Sequence, residues 1–150
     1  MTELPVLGAI RGDIVRRVLL GVGIVNALSA IGGGIGLLTP GSMGLPLRLI
    51  ESTGLNSYLW PGIILLVVIG GTQTVAVVAE LRHRSTGLFW SAVAGLGMLI
   101  WIFVELAIMG EFTPLHGIYF VTGMAQVVLV LALLGVLPGA VGPTGPTTRR

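Results

Sequence analysis

Residues 88–109 read LFWSAVAGLGMLIWIFVELAIM. One charge, Glu105, interrupts the run. A helix needs about 20 apolar residues to cross a bilayer core at about 1.5 Å per residue, and this stretch is long enough. A surface helix of a soluble domain would carry a charged face. This one has none, so its surroundings must be apolar on nearly every side.

Three further blocks have the same character, at about 18–38, 61–81 and 118–137. Pro61 suits a helix's first turn, and Pro138-Gly139 is a stop signal for the last block. Composition agrees. Of 150 residues, 54% are hydrophobic and only 9% charged, and the mean hydropathy is +1.01. A soluble domain carries about 25% charged residues. The sequence therefore predicts an all-α fold, an integral membrane antiparallel four-helix bundle over residues 1–138. The Pro-, Gly- and Thr-rich segment at 139–150, GAVGPTGPTTRR, is predicted to be a disordered cytoplasmic tail.

Charge placement predicts orientation. All eight basic residues are Arg. Arg11, Arg16 and Arg17 precede the first span, Arg82 and Arg84 lie between the second and third, and Arg149 and Arg150 close the chain. The other side carries only Arg48, with Glu51 and Glu111. The positive-inside rule puts both termini in the cytoplasm. Tyr58 and Trp60, Phe112 and Tyr119, and Phe89 and Trp90 fall at span ends, where aromatic rings favour headgroup depth. The charges mark topology and not a nucleic-acid surface. A second reading of the N-terminus is a signal peptide, Arg16-Arg17 followed by VLLGVGIVN and the small-residue ALSA. The apolar run continues through IGGGIGLL, which favours an uncleaved span.

Each span has a small or polar face at helical spacing. Span one carries Val22, Asn26, Ser29, Gly33 and Gly36; span two Gly70, Gln73, Val77 and Glu80. Span three carries Ser91, Gly95, Met98, Ile102 and Glu105; span four Tyr119, Thr122 and Gln126. Helices associate in lipid through close backbone contact at small residues and through hydrogen bonds. A close approach is therefore expected in the Gly32–Gly36 run. Such stripes suit a bundle interior or a seam between copies, in a homo-oligomer or a larger membrane complex.

Asn26, Gln73 and Gln126 fall within roughly 3 Å of mid-span depth. Bare amides are costly in hydrocarbon, so they should bond across helices, as structural glue or as the lining of a polar cavity. Glu105 is shallower, about 5 Å inside the outer edge of a core about 30 Å thick. Tyr119, Thr122, His116 and Arg48 lie within its reach. Three readings fit Glu105: a structural group that snorkels or pairs with Arg48, the wall of an outward-facing ligand or proton site, or a contact with another subunit. Glu80, four residues before Arg84, reads as half of a surface pair. In the outer loop, LPLRLIES sets Leu45, Leu49 and Ile50 near one side, for a short helix on the membrane surface or an irregular loop.

The absence of cysteine removes disulfides, thiolate nucleophiles and cysteine metal sites. His83 and His116 fall on opposite sides of the membrane in this topology. There is no HExxH motif, nucleotide-binding loop or serine nucleophile elbow. Catalysis is not expected, nor a metal or cofactor.

The stretches PGIILLVVIGGTQ (61–73), WIFVELAIMG (101–110) and PLHGIYFVTGMAQVVLVLALL (114–134) resemble small four-span bacterial membrane proteins of the DoxX-like kind. The resemblance covers spans two to four and implies the four-helix architecture. Redox or membrane-complex roles are associated with some of those proteins, but the cysteines that thiol chemistry would use are missing here. The expectation is an accessory or scaffold subunit with an outward-facing polar pocket at Glu105. The alternative is a small proton-coupled transporter or ligand carrier that uses Glu105 and the amide layer.

Overall fold

The computed structural model describes the backbone of residues 4–137 and the side chains of residues 12–137. The predicted tail lies outside the described residues. Four long helices form the structure: α1 (Leu4–Leu38), α2 (Leu59–Leu81), α3 (Gly87–Met109) and α4 (Pro114–Leu133). All four, α1 from Gly12 onward, are long and apolar enough to cross a membrane. No strand occurs among the described residues.

Helix ends follow local chemistry. Pro40 locks φ and lacks an N–H, and α1 ends two residues before it. Helix α2 takes Pro61 in its first turn, where a missing N–H is harmless. Helix α4 starts at Pro114 and not near 118, because a capping box forms there. The Thr113 hydroxyl accepts from the His116 backbone N–H, and His116 Nδ1 accepts from the Thr113 N–H at 3.1 Å. The helix also ends before the expected 137. Gly135, at φ 71, turns the chain back after Leu133. Its N–H donates to the Ala132 carbonyl at 3.1 Å, and the Val136 N–H donates to Leu131 at 3.0 Å. This Schellman closure completes before Pro138 is reached.

Each long helix packs on two others: α1 on α2 and α4, and α3 on α2 and α4. Small residues permit the approach. A Cβ on Gly34 would lie 2.7 Å from the Leu66 backbone nitrogen, so α1 and α2 meet there almost backbone to backbone. Leu66 belongs to a π-helical turn, Ile64–Ile69, inside α2. Gly95 and Gly123 form the corresponding crossing of α3 and α4, where a Cβ on either would lie 3.2–3.3 Å from the other's carbonyl oxygen. Apolar side chains such as Val25, Leu28, Val67, Ile100, Phe103 and Val121 stay exposed on the outer faces. Outward Leu and Phe over an inward small and polar face inverts the pattern of a soluble helix.

The two ends of the helices differ. At one, called here the Arg end, a short link joins α2 to α3. At the other, the loop end, α3 turns into α4 and residues 39–58 connect α1 to α2. That connection makes three 3-10 turns, Ser42–Gly44, Leu47–Leu49 and Glu51–Thr53. It is an irregular loop of short turns, folded inward, and not one surface helix. Ile50 is 1% exposed and Tyr58 2%. The Tyr58 hydroxyl donates to the Pro46 carbonyl at 2.9 Å, and Ser52 Oγ donates to the Ile108 carbonyl at 3.2 Å. Burial pushes the Tyr58 phenol above its usual pKa, so it stays a donor. Trp60 is exposed as an interface ring would be, whereas Tyr58 turns inward and fastens the loop.

Candidate functional site

The helix interior is layered. At mid-height Asn26, Gln73 and Gln126 are fully buried and hydrogen-bonded together. Gln73 Nε2 donates to Gln126 Oε1 and Gln126 Nε2 donates to Gln73 Oε1, both at 3.1 Å. Asn26 Nδ2 donates to the same Gln126 oxygen at 3.1 Å, and Gln73 Nε2 also reaches the Ala94 carbonyl at 3.2 Å. The three amides thus join α1, α2 and α4 to the backbone of α3. Such bonds satisfy groups that neither lipid nor an apolar core could satisfy.

Toward the loop end lies a core of Ala30, Ile69, Met98, Trp101 and Ile102. Above it opens a cavity of about 410 Å³. Its wall is mostly apolar, with Ala30, Leu65 and Met98 from the helices and Leu45, Leu49 and Ile50 from the folded loop. Met43, Glu111 and Leu115 form its rim and are exposed, so the cavity communicates with the surroundings at the loop end. Pockets for small ligands run from about 300 to 1,000 Å³ with few polar groups, and this one lies within that range.

Its polar groups converge from α3 and α4. Glu105 lines the cavity with its side chain 22% exposed, and its Oε2 lies 3.8 Å from His116 Nε2. His116, buried at the first turn of α4, is oriented by the capping box. Nδ1 accepts from the Thr113 N–H at 3.1 Å and lies 2.8 Å from the Thr113 hydroxyl. With Nδ1 an acceptor, the ring N–H is assigned to Nε2, on the side of Glu105. Trp101 lies one turn before Glu105 on the same face and presents its indole to that carboxylate. It is 6% exposed, yet its Nε1 has no hydrogen-bond partner among the described residues.

Glu105 lines this cavity, and of the four residues expected within its reach His116 and Tyr119 line it too. Thr122 does not; its hydroxyl donates to the Tyr119 carbonyl of its own helix at 3.2 Å. Nor does Arg48, whose nearest acid is Glu111, at 3.9 Å between exposed side chains. Glu105 faces His116 and not Arg48. Trp101, Thr113 and the loop wall are the site residues sequence reasoning passed over. The signal for Trp101 was its i−4 spacing from Glu105.

At the Arg end the surface pair expected of Glu80 and Arg84 is absent. Glu80 is 5% exposed and lies 3.7 Å from Arg16 Nε of α1. Helix α2 ends at Leu81, and His83 at φ 49 reverses the chain, so the i,i+4 relation to Arg84 is broken. Gly87 makes room for the acid, since a Cβ there would lie 2.7 Å from Glu80 Oε1. Among the described residues no group of three or more His, Cys, Asp or Glu is placed to hold a metal ion.

No known protein family, curated protein or solved structure matches the chain.

Proposed function

We propose that this chain is an integral membrane protein, an antiparallel four-helix bundle that holds a small, largely apolar molecule in the cavity at its loop end. The observation that carries the proposal is the cavity of about 410 Å³, whose apolar wall ends at Glu105, His116 and Trp101. A pocket of this form binds by burial and orients by a few polar contacts. The protein acts as an accessory subunit that retains or presents its ligand within a larger membrane assembly. The resemblance to DoxX-like proteins enters for architecture alone. Binding is favoured over transport because the reciprocal Gln73–Gln126 pair stands between Glu105 and Glu80. A polar path between the two acids would have to pass that pair, whose side-chain amides are bonded to each other.

The test is gentle purification followed by native mass spectrometry. A small molecule should leave with the protein and be lost from Ser29→Phe, which fills the cavity from α1. Equal recovery from both proteins, or from neither, would reject the ligand role.

Orientation belongs to the same proposal: both termini cytoplasmic and the loop end outside, in a bacterial plasma membrane. The absence of native cysteine makes the check direct. Single cysteines at exposed Asn56 and Ser85 should behave oppositely in intact cells. Asn56→Cys should react with a membrane-impermeant maleimide, and Ser85→Cys only after lysis. The reverse pattern would invert the topology and turn the cavity toward the cytoplasm.

A further inference from the structure

Three polar side chains meet at one end of the cavity, and their hydrogen-bonding capacities do not close on one another. Trp101 Nε1 can only donate. It is buried and has no partner among the described residues. Few buried polar groups stay unpaired in folded proteins. His116 Nε2 is a donor as well, because the capping box occupies Nδ1. Glu105 can supply acceptors, but its Oε2 is 3.8 Å from His116 Nε2. That exceeds hydrogen-bond reach, about 3.2 Å for N–H···O. Two donors and an acceptor thus face a common space: the indole is turned toward the Glu105 carboxylate without completing a hydrogen bond, and the imidazole N–H stands 3.8 Å from it.

We propose that the cavity takes an apolar molecule bearing one hydroxyl group, seated between Trp101 Nε1, His116 Nε2 and the Glu105 carboxylate. The proposal rests on the cavity being a binding site. It adds the chemical class of the occupant.

The donor inventory selects the hydroxyl. An ammonium offers three donors and no acceptor. It would pair with Glu105 and leave both N–H groups unmet. A ketone or ether accepts but cannot donate. It would meet the N–H groups and bring a lone pair toward the carboxylate. A hydroxyl donates one hydrogen bond and accepts two, so it can accept from Trp101 and His116 while donating to Glu105. The spacing also fits. An oxygen about 2.9 Å from Nε2 and about 2.7 Å from Oε2 spans the gap, with the two bonds meeting at roughly a right angle. Other charges do not compete there, since Glu111 at the rim has Arg48 beside it at 3.9 Å. The apolar walls receive the rest of the molecule.

The test uses three probes with one apolar body: 1-pyrenylmethanol, its methyl ether and 1-pyrenylmethylamine. Each is titrated into the purified full chain in lipid nanodiscs. Affinity is read by competition fluorescence, and the Trp101 indole N–H by its proton–nitrogen correlation signal, assigned with Trp101→Phe. The alcohol should bind at least tenfold more tightly than the ether or the amine and should move the indole signal. Glu105→Leu should abolish that preference while the ether still binds. Equal affinity for alcohol and ether, or preference for the amine, would overturn the hydroxyl assignment and leave the binding site standing. If no probe binds the wild-type chain better than Ser29→Phe, the binding site falls too, and this proposal with it.

Discussion

Two alanines placed two residues apart in α1 should change stability in opposite directions. Gly32 and Gly34 belong to one glycine run, and composition alone treats them alike. A Cβ on Gly32 meets nothing within 4 Å, whereas on Gly34 it lies 2.6 Å from Leu66 Cβ, 2.7 Å from its nitrogen and 2.8 Å from its Cα. Two of those three atoms are backbone, so no rotamer change relieves the clash, and α1 must move away from the π turn of α2. Overpacking of this kind costs about 1–3 kcal/mol, and more where the backbone must shift. At Gly32 the main effect is relief of glycine's entropy in a helix, worth roughly 0.5–1 kcal/mol. Thermal unfolding in one detergent should therefore show Gly34→Ala melting several degrees below wild type and Gly32→Ala above it. Gly34→Leu should fail to give a folded protein. Equal melting of the two alanine variants would mean that α1 and α2 do not cross at Leu66.

The same glycine run shows what the sequence makes legible and where it stops. That α1 is closely approached in this region follows from its small residues, because they let two backbones meet. Which glycine carries the contact depends on helix rotation and on the π turn, and spacing encodes neither. Depth behaves similarly. Asn26, Gln73 and Gln126 count to one level from the span ends, but who donates to whom is a matter of rotamers. The loop was harder. Leu45, Leu49 and Ile50 suit lipid or a cavity wall equally well, since both are apolar. The difference comes from Tyr58, whose ring is buried and whose hydroxyl binds Pro46. Glu80 misled for a definite reason. The i,i+4 rule holds only while the helix continues, and α2 ends at Leu81. The capping role of His116 is not legible in the sequence, because the usual N3 partner in a capping box is Glu or Gln. Here an imidazole performs that task and in doing so aims its remaining N–H at Glu105.

The amide layer gives the second large effect, as a ranking that its bonding pattern dictates. Gln126 takes part in three of the layer's hydrogen bonds, Gln73 in three, and Asn26 in one. Replacing Gln126 by Leu strips Asn26 Nδ2 of its acceptor and Gln73 Oε1 of its donor, while Gln73 Nε2 keeps the Ala94 carbonyl. A buried polar group without a partner costs about 1–3 kcal/mol, although interhelical bonds in membrane proteins average nearer 0.6 kcal/mol. Two orphaned groups place the expected loss for Gln126→Leu at roughly 1–3 kcal/mol. Asn26→Leu should cost least of the three, because it deletes a single bond and also removes Oδ1, which has no partner among the described residues. Adding Gln73→Leu to Gln126→Leu removes one of the orphans, so the double variant should lose well under the sum of the two single losses. Unfolding of the set in mixed micelles supplies the double-mutant cycle, with an expected coupling of about 0.5–2 kcal/mol. Strict additivity would mean that the glutamines bond to something other than each other. A destabilised Gln126→Leu that keeps its small molecule would separate the layer's structural work from the cavity above it. Loss of both would tie the shape of the cavity floor to the amides beneath.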